Sequence, residues 1–103
     1  MGKEKQPDVP SGTEARGQDS LKRLARLMFK PKEKKPYMFN GKPLKNLQDL
    51  KDYLVAFTGK EALWVASWLE YLGDGDTARR IREKPEKFKN AVMRRYRELK
   101  PYV

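Results

Sequence analysis

Apolar residues recur in helical spacing in four short stripes after residue 36 and one before it. Wound at about 100° per residue, Leu21, Leu24, Leu27 and Met28 share one arc. Lys22, Arg23, Arg26 and Lys30 take the other. Ser20 offers an N-cap, and Lys30-Pro31 a stop, because the residue before proline is pushed out of the helical region. The spacing predicts a short basic amphipathic helix over 20–29. Leu47, Leu50, Tyr53, Leu54 and Phe57 form the next stripe, behind Asn46 as N-cap and Asp49 in the first turn. Thr58 and Glu61 have capping-box spacing for a helix running to Leu72, and Gly73 suits the position after it. Ala62, Trp64, Val65, Ala66, Trp68, Leu69, Tyr71 and Leu72 cover so much of that helix that it is expected at the centre, covered by neighbours. The turn Asp74-Gly75-Asp76 leads into a short helix over 77–83 with Ala78 and Ile81 inward. Pro85 fits the first position of a last helix over 86–99, whose inward stripe is Phe88, Val92, Tyr96 and Leu99.

The stretches between stripes set the expected organisation. Residues 1–18 hold Pro7, Pro10, Gly2, Gly12 and Gly17 and almost nothing apolar, too little to offset the entropy of ordering. Residues 30–36, Lys-Pro-Lys-Glu-Lys-Lys-Pro, read as a stiff basic linker. The expected division is a flexible basic arm over 1–36, carrying the 20–29 helix, and a small helical domain over 37–103. Tyr37 to Leu44 centres on Asn40-Gly41, the preferred type I′ pair. It is either a tiny hairpin with Pro43 at an edge or an irregular turn that pins Phe39 and Leu44 to the core. The expected fold is all-α: a compact bundle of four short helices with a candidate β-hairpin at its start.

Composition then removes whole classes of chemistry. The 103 residues include no Cys and no His. Disulfides, thiolate nucleophiles, Cys₂His₂ fingers, histidine triads and zinc-water sites are excluded. Asp74-x-Asp76 is a fragment of a calcium loop without its later ligands, better read as turn and cap chemistry. Asp49, Asp52, Glu61 and Glu70 suggest no acid pair. No nucleophile–base pair and no phosphate-cradling glycine loop is visible. The reading is a non-enzyme with no cofactor, no metal and no small-molecule substrate. No apolar run approaches the roughly 20 residues that span a bilayer, and residues 1–17 lack a signal peptide's apolar core. No membrane role and a cytoplasmic location are expected. Few Asn and Gln beside many Lys, Arg and Glu hint at a thermophilic source.

Charge gives the positive signal. Lys and Arg total 24 against 14 Asp and Glu, a formal net charge of +10. Residues 1–36 carry 10 basic and 5 acidic side chains, residues 37–75 carry 4 and 5, and residues 76–103 carry 10 and 4. Segregated basicity around a neutral middle points to a partner with fixed negative charge. Lys87, Lys89, Arg94, Arg97 and Lys100 lie opposite the last helix's apolar stripe, and Arg95 lies beside it. Arg79, Arg80 and Arg82 precede it, and only Glu83, Glu86 and Glu98 offset these nine. The set reads as a phosphate-tracking surface, against the plainer reading of a solvated charged face. Lys22, Arg23, Arg26, Lys30, Lys32, Lys34 and Lys35 extend it to the arm. Leu21, Leu24 and Met28, whose stripe has no assigned core, are candidates for a protein interface, as are Trp64 and Trp68. Core packing is the preferred reading of the tryptophans, because so small a domain needs its large side chains.

One resemblance accompanies these readings. Gly41-Lys-Pro-Leu44-Lys-Asn46-Leu47-Gln-Asp49-Leu50, Trp64-Val65-Ala66-Ser67-Trp68-Leu69, Leu72-Gly73-Asp74 and Ala78-Arg-Arg-Ile81 together resemble a family of small helical domains of archaea and bacteria. Its pattern is roughly G-x-x-L-x-N-L-x-E-L, then W-[IV]-x-x-x-L-G-D and A-x-x-[IL]. The resemblance covers about residues 39–82, implies the helical fold and implies no activity. Members carry histidines between the first two helices, and this chain has none. The expected function is RNA binding by a non-enzymatic accessory protein, attached to the ribosome or another large ribonucleoprotein assembly. DNA is a further nucleic-acid possibility. The alternative is a protein-binding adaptor or regulator of a nucleic-acid machine, docking through helix 21–29 or the Trp64/Trp68 edge.

Overall fold

The computed structural model describes residues 10–103, with side chains from Asp19 onward. Five α-helices surround one small hairpin: α1 (Pro10–Phe29), β1 (Tyr37–Phe39), β2 (Lys42–Leu44), α2 (Leu47–Tyr53), α3 (Ala62–Leu72), α4 (Gly75–Glu83) and α5 (Phe88–Leu99). Single 3₁₀ turns follow α2 at Leu54–Ala56, precede α5 at Pro85–Lys87 and follow it at Lys100–Tyr102. The helical fold with one hairpin is the expected one.

Its first part differs. The helix expected from Ser20 begins at Pro10, a first position that proline tolerates because no intrahelical partner awaits its missing N–H. The arm expected over 1–18 is therefore helical from residue 10, and its remaining part lies outside the described residues. Ala25, Met28 and Phe29 are buried in the common core, with Leu21 and Leu24 packed against its edge. The boundary expected at Pro36 is thus not the edge of packed chain, and the stripe of Leu21, Leu24 and Met28 already has its core. Burying a methionine and a phenylalanine recovers about 1.5–3 kcal/mol each, a gain a small domain cannot leave exposed. The linker is also held. Lys35 donates its N–H to Tyr71 Oη at 2.9 Å and accepts from Trp68 Nε1 at 3.0 Å.

The hairpin reading holds over the irregular turn. Tyr37 pairs with Leu44, Met38 with Pro43 and Phe39 with Lys42. Asn40 (φ 51°) and Gly41 (φ 79°) take the two left-handed positions of a type I′ turn. Alternation sends Tyr37, Phe39 and Leu44 inward and leaves Met38 outside. Phe39 stacks on Phe57 with ring centres 4.1 Å apart, and Tyr37 meets Trp68 edge-on at 5.9 Å. These rings fix a two-stranded unit that is marginal by itself.

Local signals set the helix ends. Asn46 Oδ1 accepts from Asp49 N at 2.9 Å, and Asp49 Oδ2 accepts from Lys45 N at 2.9 Å. Asn46 Nδ2 donates to the Phe29 carbonyl at 3.1 Å, so the α2 cap also satisfies the end of α1. The single helix expected over 47–57 instead tightens to 3₁₀ at Leu54, which keeps Leu54 and Phe57 buried. Tyr53 falls outside, with Lys42 Nζ 5.2 Å from its ring centre. At the end of α3, Gly73 N bonds Glu70 O at 3.0 Å and Asp74 N bonds Leu69 O at 2.8 Å, a Schellman closure. Gly73 has φ 129°, and a Cβ there would meet Leu27 Cδ1 at 2.9 Å. Helix α3 is not covered all round as expected. Leu63, Trp64 and Tyr71 are exposed, and its buried arc is Ala62, Val65, Ala66, Trp68, Leu69 and Leu72.

Because Met28 is fully buried, Met28→Ala is expected to cost about 2–5 kcal/mol in urea denaturation. Unchanged stability would show that α1 rests loosely on the other helices.

Candidate nucleic-acid interface

Helices α4 and α5 run off one joint and enclose a groove of about 340 Å³. One stripe from each helix lines it. Thr77, Arg80 and Lys84 come from α4 and its end; Lys87, Asn90, Arg94 and Arg95 come from α5 and the turn before it. Steps of three and four residues place each set on one face. Glu83 and Glu98 also line it, and the bases outnumber them. Lys84, Thr77 and Asn90 were not among the residues singled out from the sequence. The spacing Lys87, Asn90, Arg94 contained the signal, and counting bases alone passed over it.

The groove sorts the expected phosphate ligands. Arg80, Lys87 and Arg94 line it. Arg94 Nε is 3.9 Å from Glu98 Oε2, an exposed pair that contributes little and yields easily. Arg95 belongs elsewhere. Its Nε lies 2.9 Å from Asp74 Oδ2, its Nη2 3.1 Å from Asp74 Oδ1, and Nε also reaches Thr77 Oγ1 at 2.9 Å. Asp74 is 1% exposed. This buried fork is structural, so Arg95, although it borders the groove, is not a mobile phosphate ligand. Arg82 is held by Glu70 at 2.7 Å, away from the groove, and Arg79 Nη2 lies 3.6 Å from Asp76. Lys89, Arg97 and Lys100 fall outside the groove lining; Lys100 Nζ lies 3.4 Å from Gln48 Oε1 and faces the rings of Phe29 and Tyr96. The nine bases are thus not one surface.

The bases before residue 37 gather separately. Arg23, Arg26, Lys30, Lys32 and Lys34 surround a second hollow of about 350 Å³ at the end of α1. Lys22 and the Lys35 side chain are exposed outside it. The Lys34 ammonium sits 4.6 Å from the centre of the Tyr71 ring. Of the candidate interface residues, Met28 and Trp68 are core, and Leu21 and Leu24 are half-buried against it. Trp64 is the exception, 72% exposed against 7% for Trp68.

The Glu61 carboxylate has local work. Glu61 Oε1 accepts from Thr58 N at 3.0 Å, Gly59 N at 3.1 Å and Thr58 Oγ1 at 3.3 Å. Burial tends to raise its pKa, but these hydrogen bonds, with its own amide, outweigh that and hold it below the ordinary value of 4.5. Burial, and then the Glu61 charge, raises the Tyr37 phenol. Among the described residues no group of three or more carboxylates could hold a metal ion, and no helix is long and apolar enough to cross a membrane. No family model, no curated protein and no solved structure matches the chain.

Two outcomes check the local assignments. Asp74→Ala removes the buried carboxylate from the Arg95 guanidinium, leaving it Thr77 and Glu98 at 3.3 Å, and is expected to cost up to roughly 3–5 kcal/mol in urea denaturation. Asp74→Asn keeps an acceptor for Thr77 N and should lose less in the same urea titration. Glu61 binds its proton less readily folded than unfolded, so its contribution is full above the unfolded pKa and fades as pH falls through the lower folded value. Glu61→Gln should flatten the decline of melting temperature below pH 4.5.

Proposed function

We propose that this protein is a non-catalytic binder of nucleic-acid backbone, RNA first, serving as an accessory of a larger ribonucleoprotein assembly. The observation that carries the reading is the α4–α5 groove, where Arg80, Lys84, Lys87 and Arg94 converge from two helices with Asn90 between them. Guanidinium forks and ammonium groups suit phosphate oxygens, and the Asn90 amide adds a neutral donor. Lys87 and Arg94 stand seven residues apart, about 10 Å along the helix, enough to meet more than one phosphate. On this reading these groups meet phosphate oxygens rather than base edges, so affinity with little sequence preference is expected. The net charge of +10 adds long-range attraction that salt weakens.

The test uses fluorescein-labelled oligouridine and fluorescence anisotropy. Arg80→Gln with Arg94→Gln should leave stability within about ±0.5 kcal/mol, because both side chains are exposed. Affinity should fall, and the slope of log affinity against log salt should shrink by about 0.7 for each lost single-strand phosphate contact. Arg79→Gln with Arg97→Gln removes the same charge outside the groove and should change both far less. Equal losses in the two double variants would reduce the groove to part of a diffuse basic surface. Competition by single-stranded DNA of matched length measures the preference for RNA.

A further inference from the structure

The second hollow differs in kind from the groove. It lies where the end of α1, the linker and the end of α3 meet, and it shares no lining residue with the α4–α5 groove. Leu27 and Pro31 form an aliphatic floor backed by the buried Leu72, and Arg23, Arg26, Lys30, Lys32 and Lys34 stand around it. Among the described residues that line it there is no carboxylate. Five cations crowded at one opening repel one another. Interaction with the α1 carbonyl end accounts for Arg26 and Lys30, and the Tyr71 ring for Lys34, but neither accounts for Lys32 on the linker. Leu27 remains 45% exposed at the floor, against the usual preference for burying leucine.

These features specify the chemistry of an occupant. It must bring several negative charges to the rim and one aliphatic group to the floor. A nucleic acid supplies the charges, but its bases favour aromatic or guanidinium planes, and the floor is aliphatic. A protein segment supplies both. A leucine-sized side chain fits a hollow of this volume, and flanking Asp or Glu side chains reach the five cations. We infer that this hollow is a docking site for an acidic peptide segment of a partner protein, one that sets a single aliphatic side chain against the exposed face of Leu27. The site is independent of the α4–α5 groove. The chain then holds two partners at once, nucleic-acid backbone on α4 and α5 and an acidic protein segment beside α1.

Anisotropy of a fluorescein-labelled peptide, Glu-Glu-Leu-Glu-Glu, tests the inference on the full chain. Saturable binding is expected, weakened about tenfold or more when the peptide leucine becomes serine. Lys32→Glu with Lys34→Glu should abolish binding while thermal melting stays near that of the parent, since both lie on the linker and outside every helix. Arg26→Glu with Lys30→Glu should also abolish binding from the α1 side, with a small drop in melting temperature because both stand at the α1 carbonyl end. Arg80→Gln with Arg94→Gln should leave peptide affinity unchanged, and saturating oligouridine should not displace the peptide. Those two arms separate this site from the groove, whatever the groove's own test shows. Absence of peptide binding, equal affinity for leucine and serine peptides, or insensitivity to Lys32→Glu with Lys34→Glu would overturn the inference. Displacement by oligouridine, or loss of oligouridine affinity in Lys32→Glu with Lys34→Glu, would assign the hollow to the nucleic acid instead.

Discussion

Asp74 is the constraint on which the arrangement of α3, α4 and α5 depends. Its N–H closes the end of α3 on Leu69 O at 2.8 Å, and its carboxylate caps α4 through Thr77 N at 3.1 Å. The same carboxylate takes both arms of the Arg95 fork from α5. One residue therefore fixes two helix ends and the lateral position of a third helix. A buried carboxylate is tolerable only when its lone pairs are engaged, and here Thr77 N and the guanidinium engage them. Gly73 completes the joint, because its φ of 129° turns the chain and its missing side chain lets Leu27 of α1 approach.

That joint also decides which bases face outward. Arg95 points into it, and Arg82 bends back to Glu70. Arg80 and Arg94 stay exposed beside the joint and line the groove. A basic segment is thus divided by packing into structural and accessible cations. Net charge registers both alike, and only the accessible share acts on a partner.

Helix ends and turns were legible in the sequence because their causes are local. Asn46 with Asp49, Asn40 with Gly41, and Gly73 each act within a few residues, and each stands where its chemistry requires. The length and docking of α1 were less legible. Gly12 and Gly17 lower helix propensity, and only contacts more than a dozen residues away, such as Asn46 with the Phe29 carbonyl at 3.1 Å, show that its end belongs to the core. Helix α3 misled in the other direction. A wide apolar arc suggested cover on all sides, but α1, the hairpin and α4 leave Trp64 and Leu63 in solvent. The candidate site was legible as a basic region. Its division into a groove, a hollow and a buried fork was not, because partner choice among nine nearby bases depends on where Asp74, Glu70 and Glu98 arrive in space.

The two tryptophans occupy opposite environments within one helix. Trp68 is wedged edge-on against Tyr37 with its indole N–H fixed on the Lys35 carbonyl, and Trp64, one turn earlier, stands in water. The native chain consequently carries two intrinsic optical reporters. Emission from Trp68 is blue-shifted and shielded from collisional quenchers until the core opens. Emission from Trp64 is red-shifted and quenchable in the folded state, so it registers events at the surface of α3. A quencher such as iodide separates the two signals without any label, and unfolding can be followed apart from whatever settles on that surface.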